Sequence, residues 1–138
     1  MAGLSKRPIG ATATLGKTGY PHVRSETGGT IDIVTGVAEA GFNPLDLLLA
    51  SLAACMSMSA RIAARELGLA DRLAGVSVRA SGEKSESGPS RFASLSVRFQ
   101  FEGALDDRDK TNIAHRAEEL CTVSNTLAVR PEVVLEAG

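Results

Sequence analysis

Apolar residues concentrate in one stretch, residues 43–68, with the sequence NPLDLLLASLAACMSMSARIAARELG. The stretch is almost unbroken apolar up to Met58 and amphipathic after it, which predicts one long helix. Asn43 suits the N-cap, Pro44 suits the first helical position, and the Asp46 carboxylate can reach back to the free amides. Gly68 suits a left-handed C-cap. Such a helix is roughly 36 Å long at 1.5 Å per residue.

The first half of this helix has no clear polar face, so we expect it to be covered on nearly all sides. Its apolar run, residues 45–58, contains Asp46 and falls short of the roughly eighteen uncharged residues that span a bilayer. The N-terminus, MAGLSKRPIGATATLG, has no apolar core of signal-peptide length. The pattern predicts a buried helix, no membrane segment and a cytoplasmic location.

Alternating apolar and polar positions before the helix predict a strand meander over residues 8–35. Turns are expected at GKTG, residues 16–19, and at the glycine pair of residues 28–29. Within TIDIVTG, Ile31 and Ile33 share one face and Asp32 lies on the other. One side of this meander is therefore expected to pack on the core.

After the helix, residues 74–86 and 90–103 predict a β-hairpin with an exposed tip, EKSESGPS. Residues 106–120 predict a second helix, because acidic side chains crowd its first turn and its apolar residues form a stripe. The last residues, RPEVVLEAG, predict a closing strand with Pro131 at its start. We therefore expect an α+β fold.

Composition narrows the class of protein. The 138 residues carry a formal net charge of −1, with acidic and basic residues interspersed, so neither nucleic acid nor an anionic membrane is an expected partner. This length is enough for a real core in one domain, residues 1–138, without disulfide staples. In a reducing compartment, two cysteines are more often free, catalytic or redox-sensing than permanently crosslinked.

The two cysteines, Cys55 and Cys121, are too far apart in the sequence for a CxxC motif or a local zinc knuckle. The two histidines, His22 and His115, do not fall at ligand spacing from either cysteine, so we predict no metal and no cofactor. One interpretation is structural, since unpaired cysteines are among the most buried residues. The other is a redox pair, in which one thiolate is held by a cation and the second thiol resolves its oxidised form.

The segments NPLDLLLASLAACMSMSARIA and CTVSNTL together resemble the OsmC/Ohr family of cysteine-based peroxidases. In that family a helix with the pattern N-P-x-[ED]-L-L-x-A-x-x-x-A-C carries the first cysteine, and a C-x-x-S turn carries the second. The order of the predicted elements also agrees. The resemblance implies an intertwined homodimer with antiparallel sheets wrapped around long central helices.

The resemblance also implies a mechanism. Cys55, as the peroxidatic thiolate, attacks a hydroperoxide and becomes a sulfenic acid, and Cys121 condenses with it to a disulfide. An external dithiol then restores both thiols. Because the surroundings of Cys55 are apolar, the expected substrate is an organic hydroperoxide.

Other site residues follow from the same resemblance. The hydroperoxide-reductase branch has a glutamate directly after Asn-Pro, where this chain has Leu45, and the carboxylate comes one residue later at Asp46. Asp46 is either a site residue or a plain helix cap. The family also places an arginine from the N-terminal strands beside the thiolate. Arg24 is preferred over Lys17, because a planar guanidinium fork holds a thiolate and a peroxide oxygen together. A solvated charge at the strand edge is the alternative.

Three serines lie near the cysteines in sequence. Ser51 and Ser59, four residues either side of Cys55, share its helical face and could donate to its sulfur, or could bond the carbonyl one turn back. Ser124, in the C-x-x-S turn, is expected to cap a local helix.

Two other functions fit the same residues. A non-catalytic dimer could keep the scaffold and bind a small apolar ligand between its subunits, and Leu45 in place of the family glutamate supports this alternative. General thiol–disulfide exchange is the other, and it would reduce disulfides with little peroxide turnover.

Overall fold

The computed structural model describes residues 6–127, and these belong to two compact units that divide between Leu47 and Leu48. Each unit is described by itself below. The predicted closing strand at Pro131 lies outside the described residues. A single domain over residues 1–138 stays a prediction.

The first unit contains a three-stranded antiparallel sheet in the order β1-β2-β3. Its strands are β1 (Ala11–Thr14), β2 (His22–Ser25) and β3 (Thr30–Asp32). Gly28 has φ +97°, a conformation that glycine adopts without a steric penalty, in the turn before β3. Ile33 is buried and Asp32 is exposed, so the predicted meander and its two faces are confirmed.

The long predicted helix is α1 (Pro44–Glu66). The Asn43 side chain accepts from the amide of Asp46 at 2.8 Å, and the Asp46 carboxylate accepts from the amide of Asn43 at 3.0 Å. This pair closes a capping box. At the other end, Gly68 has φ +74° and the amide of Leu69 donates to the carbonyl of Ala64 at 2.7 Å. These are the features of a Schellman motif, so both predicted helix ends are confirmed.

The second unit contains a β-hairpin and two further helices. Strands β4 (Leu73–Lys84) and β5 (Phe92–Gly103) pair antiparallel, with Val76 opposite Phe101 and Val78 opposite Phe99. The predicted hairpin is therefore confirmed. The rings of Phe99 and Phe101 stack with their centroids 5.5 Å apart.

The predicted second helix is α2 (Asp107–Leu120), and it begins with a capping box between Asp106 and Asp109. A short helix, α3 (Thr122–Thr126), follows it after one residue. The sequence pattern predicts a C-x-x-S turn here, and the structure continues that turn into a helix.

One face of α1 packs against the hairpin, α2 and α3, and its buried residues form two clusters. The alanine cluster lies toward the end of the helix, and the sulfur cluster lies near its middle. The alanine cluster comprises Ala60, Ala63, Ala64, Leu69, Ile113 and Ala117. The sulfur cluster comprises Leu52, Met56 and Cys121, with Cys55, Val78, Ala80, Val97, Phe99 and Val123 packed against it.

The other side of α1 is less covered within the chain, since Met58 is 59% exposed and Ile62 is 44% exposed. The hairpin, α2 and α3 cover one side of the helix. Coverage of its first half on nearly all sides, which the predicted homodimer would complete, stays a prediction.

The length and composition of α1 are also those of a membrane-spanning helix, since an 18-residue window has a mean hydropathy of 1.7. A third of that window, 33%, is buried inside the chain. Core helices of folded domains share these properties. Because α1 contributes to both core clusters, we interpret it as a core helix.

Candidate active site

Cys55 lies near the middle of α1 and is half-buried. Leu52, one turn earlier, and Met56, the next residue, are both buried in the sulfur cluster. Apolar side chains of β4 and β5 pack against the same cluster. Cys55 is therefore a partly exposed residue beside an apolar cluster.

Cys121 is the residue between α2 and α3, and it is fully buried. Its backbone is extended, with φ −74° and ψ 105°, which ends one helix and starts the next. Its amide donates to the carbonyl of Glu118 at 3.3 Å. Its sulfur accepts from the amide of Ser124 at 3.4 Å, so the thiol is the N-cap of α3.

The two cysteines predicted as a pair lie together in the second unit. Both are free thiols, and Cys55 packs against the cluster that contains Cys121. Cys55 and Cys121 are 66 positions apart in the sequence. They come together because α1 and the α2–α3 junction both contribute to the sulfur cluster.

The pKa of Cys55 is lowered from its ordinary value. Burial is the largest single influence and raises it, because an apolar environment disfavours the thiolate. Hydrogen bonds outweigh burial: they come from the amide of Val123, the thiol of Cys121, the hydroxyl of Ser59 and the amide of Thr122. Each of these groups favours the charged form of the sulfur.

The pKa of Cys121 is raised. Burial is the main cause, and the neighbouring Cys55 adds to it, since two adjacent thiolates would repel each other. The amide of Ser124 acts in the opposite direction but does not reverse the shift. The arrangement therefore favours a thiolate at Cys55 and a protonated thiol at Cys121.

The amides of Thr122 and Val123 lower the pKa of Cys55, and sequence reasoning missed both of them. They are free because the first amides of a helix have no partner within it. A helix start at CTVSNT would have revealed them, but the C-x-x-S pattern predicts only a turn. Because all four groups that lower the pKa are neutral, the direction of this shift does not depend on a cation.

The other predicted site residues belong to the first unit. Arg24 is exposed on β2, opposite Thr12 and Thr30, and Lys17 is exposed between β1 and β2. Asp46 closes the capping box of α1. The catalytic roles of Arg24 and Asp46 stay predictions.

The three serines behave differently from one another. Ser51 donates to the carbonyl of Leu48 at 2.7 Å, one turn back, whereas Ser59 is buried and its hydroxyl lowers the pKa of Cys55. The expectation that Ser124 caps a local helix is wrong, because Cys121 is the cap of α3 and Ser124 supplies the amide that it receives.

A cavity of about 400 Å³ lies beside the sulfur cluster and shares Leu52, Met56 and Val97 with it. His115 and Glu118 of α2 lie at its polar side. A cavity of this size is within the range that holds small molecules.

Antiparallel sheets, a long apolar helix and two thiols in one apolar cluster define an α+β protein with a two-cysteine centre. The chain belongs to the OsmC-like protein family, whose family model matches residues 36–136. The family resemblance found in the sequence is thereby confirmed. None of the curated proteins matches the chain.

Solved structures share the fold. An OsmC-like protein of Mycoplasma pneumoniae has a TM-score of 0.74 at 19% identity, covering 91% of this chain and 89% of that chain. An organic hydroperoxide resistance protein of Legionella pneumophila has a TM-score of 0.71 at 21% identity, covering 90% and 91%. The organic hydroperoxide resistance protein of Bacillus subtilis has a TM-score of 0.67 at 24% identity, covering 86% and 88%. These similarities show the fold, and the predicted α+β class is confirmed.

Proposed function

We propose that the protein is a cysteine-based peroxidase that reduces organic hydroperoxides. The observation that carries this proposal is the pair of free thiols packed in one cluster, with the pKa of Cys55 lowered and that of Cys121 raised. A peroxidatic cysteine must be a thiolate, and a resolving cysteine must be a nearby thiol. Two structures with the same fold are described as organic hydroperoxide resistance proteins.

The proposed reaction has three balanced steps. The thiolate of Cys55 attacks the O–O bond of the hydroperoxide, forms a sulfenic acid and releases an alkoxide, which takes a proton to become the alcohol. The thiol of Cys121 then displaces the sulfenic oxygen as water, and the disulfide forms. An external dithiol reduces the disulfide and is itself oxidised.

The substrate class follows from the surroundings of the sulfur. Cys55 packs against the same apolar cluster as Val78, Val97 and Phe99, side chains that favour an alkyl group over water. We therefore propose organic hydroperoxides over hydrogen peroxide. A faster reaction with cumene hydroperoxide than with hydrogen peroxide is the expected result.

Two charged residues of the first unit complete the proposed site. Arg24, with Lys17 as the alternative, would hold the thiolate and the peroxide oxygen, and Asp46 would supply a carboxylate in addition to its cap. The family resemblance supports these roles. Peroxide consumption by Arg24→Gln and Lys17→Gln compares the two cations, and a loss confined to Lys17→Gln would reject Arg24.

We also propose that the protein is a cytoplasmic homodimer. Met58 and Ile62 expose apolar surface on α1, and a second copy of the chain would cover it. Light scattering should give twice the 14.3 kDa mass of one chain. Met58→Glu should favour the monomer, and a monomeric wild type would contradict the proposal.

The decisive experiment measures intact mass after one equivalent of cumene hydroperoxide. Formation of the disulfide removes two hydrogen atoms from the reduced chain. The Cys121→Ser variant is the matched control, because it should gain one oxygen atom as the sulfenic acid and form no intramolecular disulfide. An unchanged wild-type mass, or an unchanged rate of peroxide consumption in Cys55→Ser, would reject the function.

A second candidate is a non-catalytic dimer that binds a small apolar molecule. Leu45 at the position of the family glutamate and the cavity of about 400 Å³ beside the sulfur cluster favour it. A thiol titration separates the two functions, because the peroxidase needs one cysteine with a pKa well below the free value of about 8.5. Thiol–disulfide exchange would instead show reduction of a disulfide dye with little peroxide turnover.

A further inference from the structure

One ion pair joins α1 to α2 beside the alanine cluster. The Nε of Arg116 donates to one carboxylate oxygen of Glu66 at 2.7 Å, and its Nη2 donates to the other at 3.3 Å. A two-point bond of this kind fixes orientation as well as distance. It also lowers the pKa of Glu66 and raises that of Arg116, so both groups are charged. Among residues 6–127 it is the one salt bridge between these two helices.

The buried contact between the two helices is made mostly by small side chains. The alanine cluster takes Ala60, Ala63 and Ala64 from α1, and Ile113 and Ala117 from α2. Methyl groups let two helices approach closely, but they form low ridges, so they define the position along the helix axis less firmly than long side chains do. The bond between Glu66 and Arg116 is therefore well placed to fix how far α2 is shifted along α1.

The shift between the helices matters because each helix carries one cysteine. On α1 the alanine cluster follows Cys55, whereas on α2 it precedes Cys121, so α2 runs back along α1. Arg116 lies five residues before Cys121, which is the residue directly after α2. A shift of α2 by one residue would move Cys121 by about 1.5 Å along the axis. A disulfide tolerates little of this, since its Cα atoms must be about 4.4–6.8 Å apart.

We propose that Glu66 and Arg116 are positioning residues for disulfide formation, the second step of the proposed reaction. Their bond holds α2 at the shift that brings the Cys121 thiol to the sulfenic acid of Cys55. In that step the S–S bond forms and the S–O bond breaks, and the oxygen leaves as water with the proton of the Cys121 thiol. Both residues act through their helices, so the first step does not depend on them. The role in turnover rests on the proposed function.

The first experiment measures disulfide formation without peroxide. Wild type and Glu66→Ala are equilibrated in glutathione redox buffers, where oxidised glutathione takes up the two hydrogens, and intact mass gives the disulfide fraction. Glu66→Ala removes both acceptors of the bond, and alanine is a strong helix former. The equilibrium constant for the disulfide should fall about threefold, an effect within the range of an exposed ion pair.

The matched control removes a different ion pair of the same helix. Arg72 bridges Asp109 at 3.7 Å near the start of α2, at the opposite end from Cys121. Arg72→Ala should therefore leave the disulfide equilibrium unchanged. Arg116→Ala should match Glu66→Ala, and the double variant should be no worse than either, because the two residues act through one contact.

Three outcomes overturn the proposal. Equal falls in Glu66→Ala and Arg72→Ala would assign the effect to the loss of any ion pair on α2. Additive falls in the double variant would mean that the two residues do not act as a pair. A lower free energy of unfolding in urea, with an unchanged disulfide equilibrium, would show that the bond is purely structural.

Peroxide then tests the role in turnover. In excess cumene hydroperoxide, the sulfenic acid of Cys55 either forms the disulfide or is oxidised further to the sulfinic acid, which adds two oxygen atoms to the chain. Glu66→Ala should react at the wild-type rate in the first step and raise the ratio of sulfinic acid to disulfide about threefold. An unchanged ratio would overturn the role in catalysis. A wild type that does not react with peroxide, yet shows the glutathione effect, would reject the peroxidase and retain the positioning role.

Discussion

The alanine cluster and the sulfur cluster lie along the same helix, yet one contains only apolar side chains and the other contains the two thiols of the proposed site. In the alanine cluster, small side chains of α1 pack against the regular part of α2. In the sulfur cluster, α1 meets the point where α2 stops and α3 begins. Regular helices keep their amides bonded internally, whereas a helix start has free amides to offer a thiolate. The interruption at Cys121 therefore creates the site.

The largest expected effect is on peroxide consumption, and it differs between the two cysteines. Cys55→Ser should reduce peroxide consumption to the uncatalysed background, because no other sulfur in the site is favoured as a thiolate. Cys121→Ser should still consume about one equivalent, since the first step needs only Cys55. Dimedone labelling of Cys55 in Cys121→Ser checks for the trapped sulfenic acid. Multiple turnovers in Cys55→Ser would contradict the assignment.

The next effect tests the alanine cluster as a structural element. Ile113 is fully buried there, so Ile113→Ala should lower the free energy of unfolding by about 2–5 kcal/mol. Ile9 is 94% exposed, and Ile9→Ala is the matched control with an expected change within about 0.5 kcal/mol. Urea unfolding measures both. Similar changes in the two variants would show that Ile113 is not a core residue.

A smaller effect distinguishes the cysteines by pH. A lowered thiol pKa extends the reactive thiolate to lower pH, so alkylation of Cys55 should reach half its maximum below the free value of about 8.5. The raised pKa of Cys121 moves its profile in the opposite direction. Mass spectrometry of the two peptides measures both profiles. In urea-unfolded protein the profiles should coincide, and coincidence in the folded protein would refute the difference.

The smallest effect tests the free amides at the start of α3. Thr122 is the first residue of that helix, a position where proline is tolerated, and the extended backbone of Cys121 suits a residue before proline. Thr122→Pro removes one amide donor and should slow alkylation of Cys55 at pH 6 about twofold. Thr122→Ala keeps the amide and should leave the rate unchanged. Equal rates in the two variants would remove this amide from the site.

Much of the fold is predictable because its signals are local. Asn43, Asp46 and Gly68 mark the ends of α1 through their own hydrogen bonds and backbone conformation, and the structure has these features. Alternation predicts the hairpin in the same local way. The coverage of α1 is not local, because it depends on which surfaces meet, and the exposed Met58 shows that the apolar pattern does not say whether this chain or a second copy covers the helix.

The candidate site was only partly predictable. The sequence identifies both cysteines through the resemblance, and the structure brings them together. It predicts a cation beside the thiolate, which stays a prediction, whereas the groups that lower the pKa of Cys55 are two amides, a hydroxyl and the thiol of Cys121. Backbone amides carry no sequence signature of their own. Their position depends on where α3 starts. The five residues of that helix, TVSNT, are too few to predict its start from the sequence.

The position of Cys121 as the cap of α3 links redox state to local structure. Its sulfur receives the amide of Ser124, and the same sulfur is the one that a disulfide would engage. Oxidation would replace a polarisable thiol by a weaker acceptor and loosen the first turn of the short helix. The chemical shift and the hydrogen-exchange rate of the Ser124 amide proton would then report the oxidation state of Cys121 without any added dye.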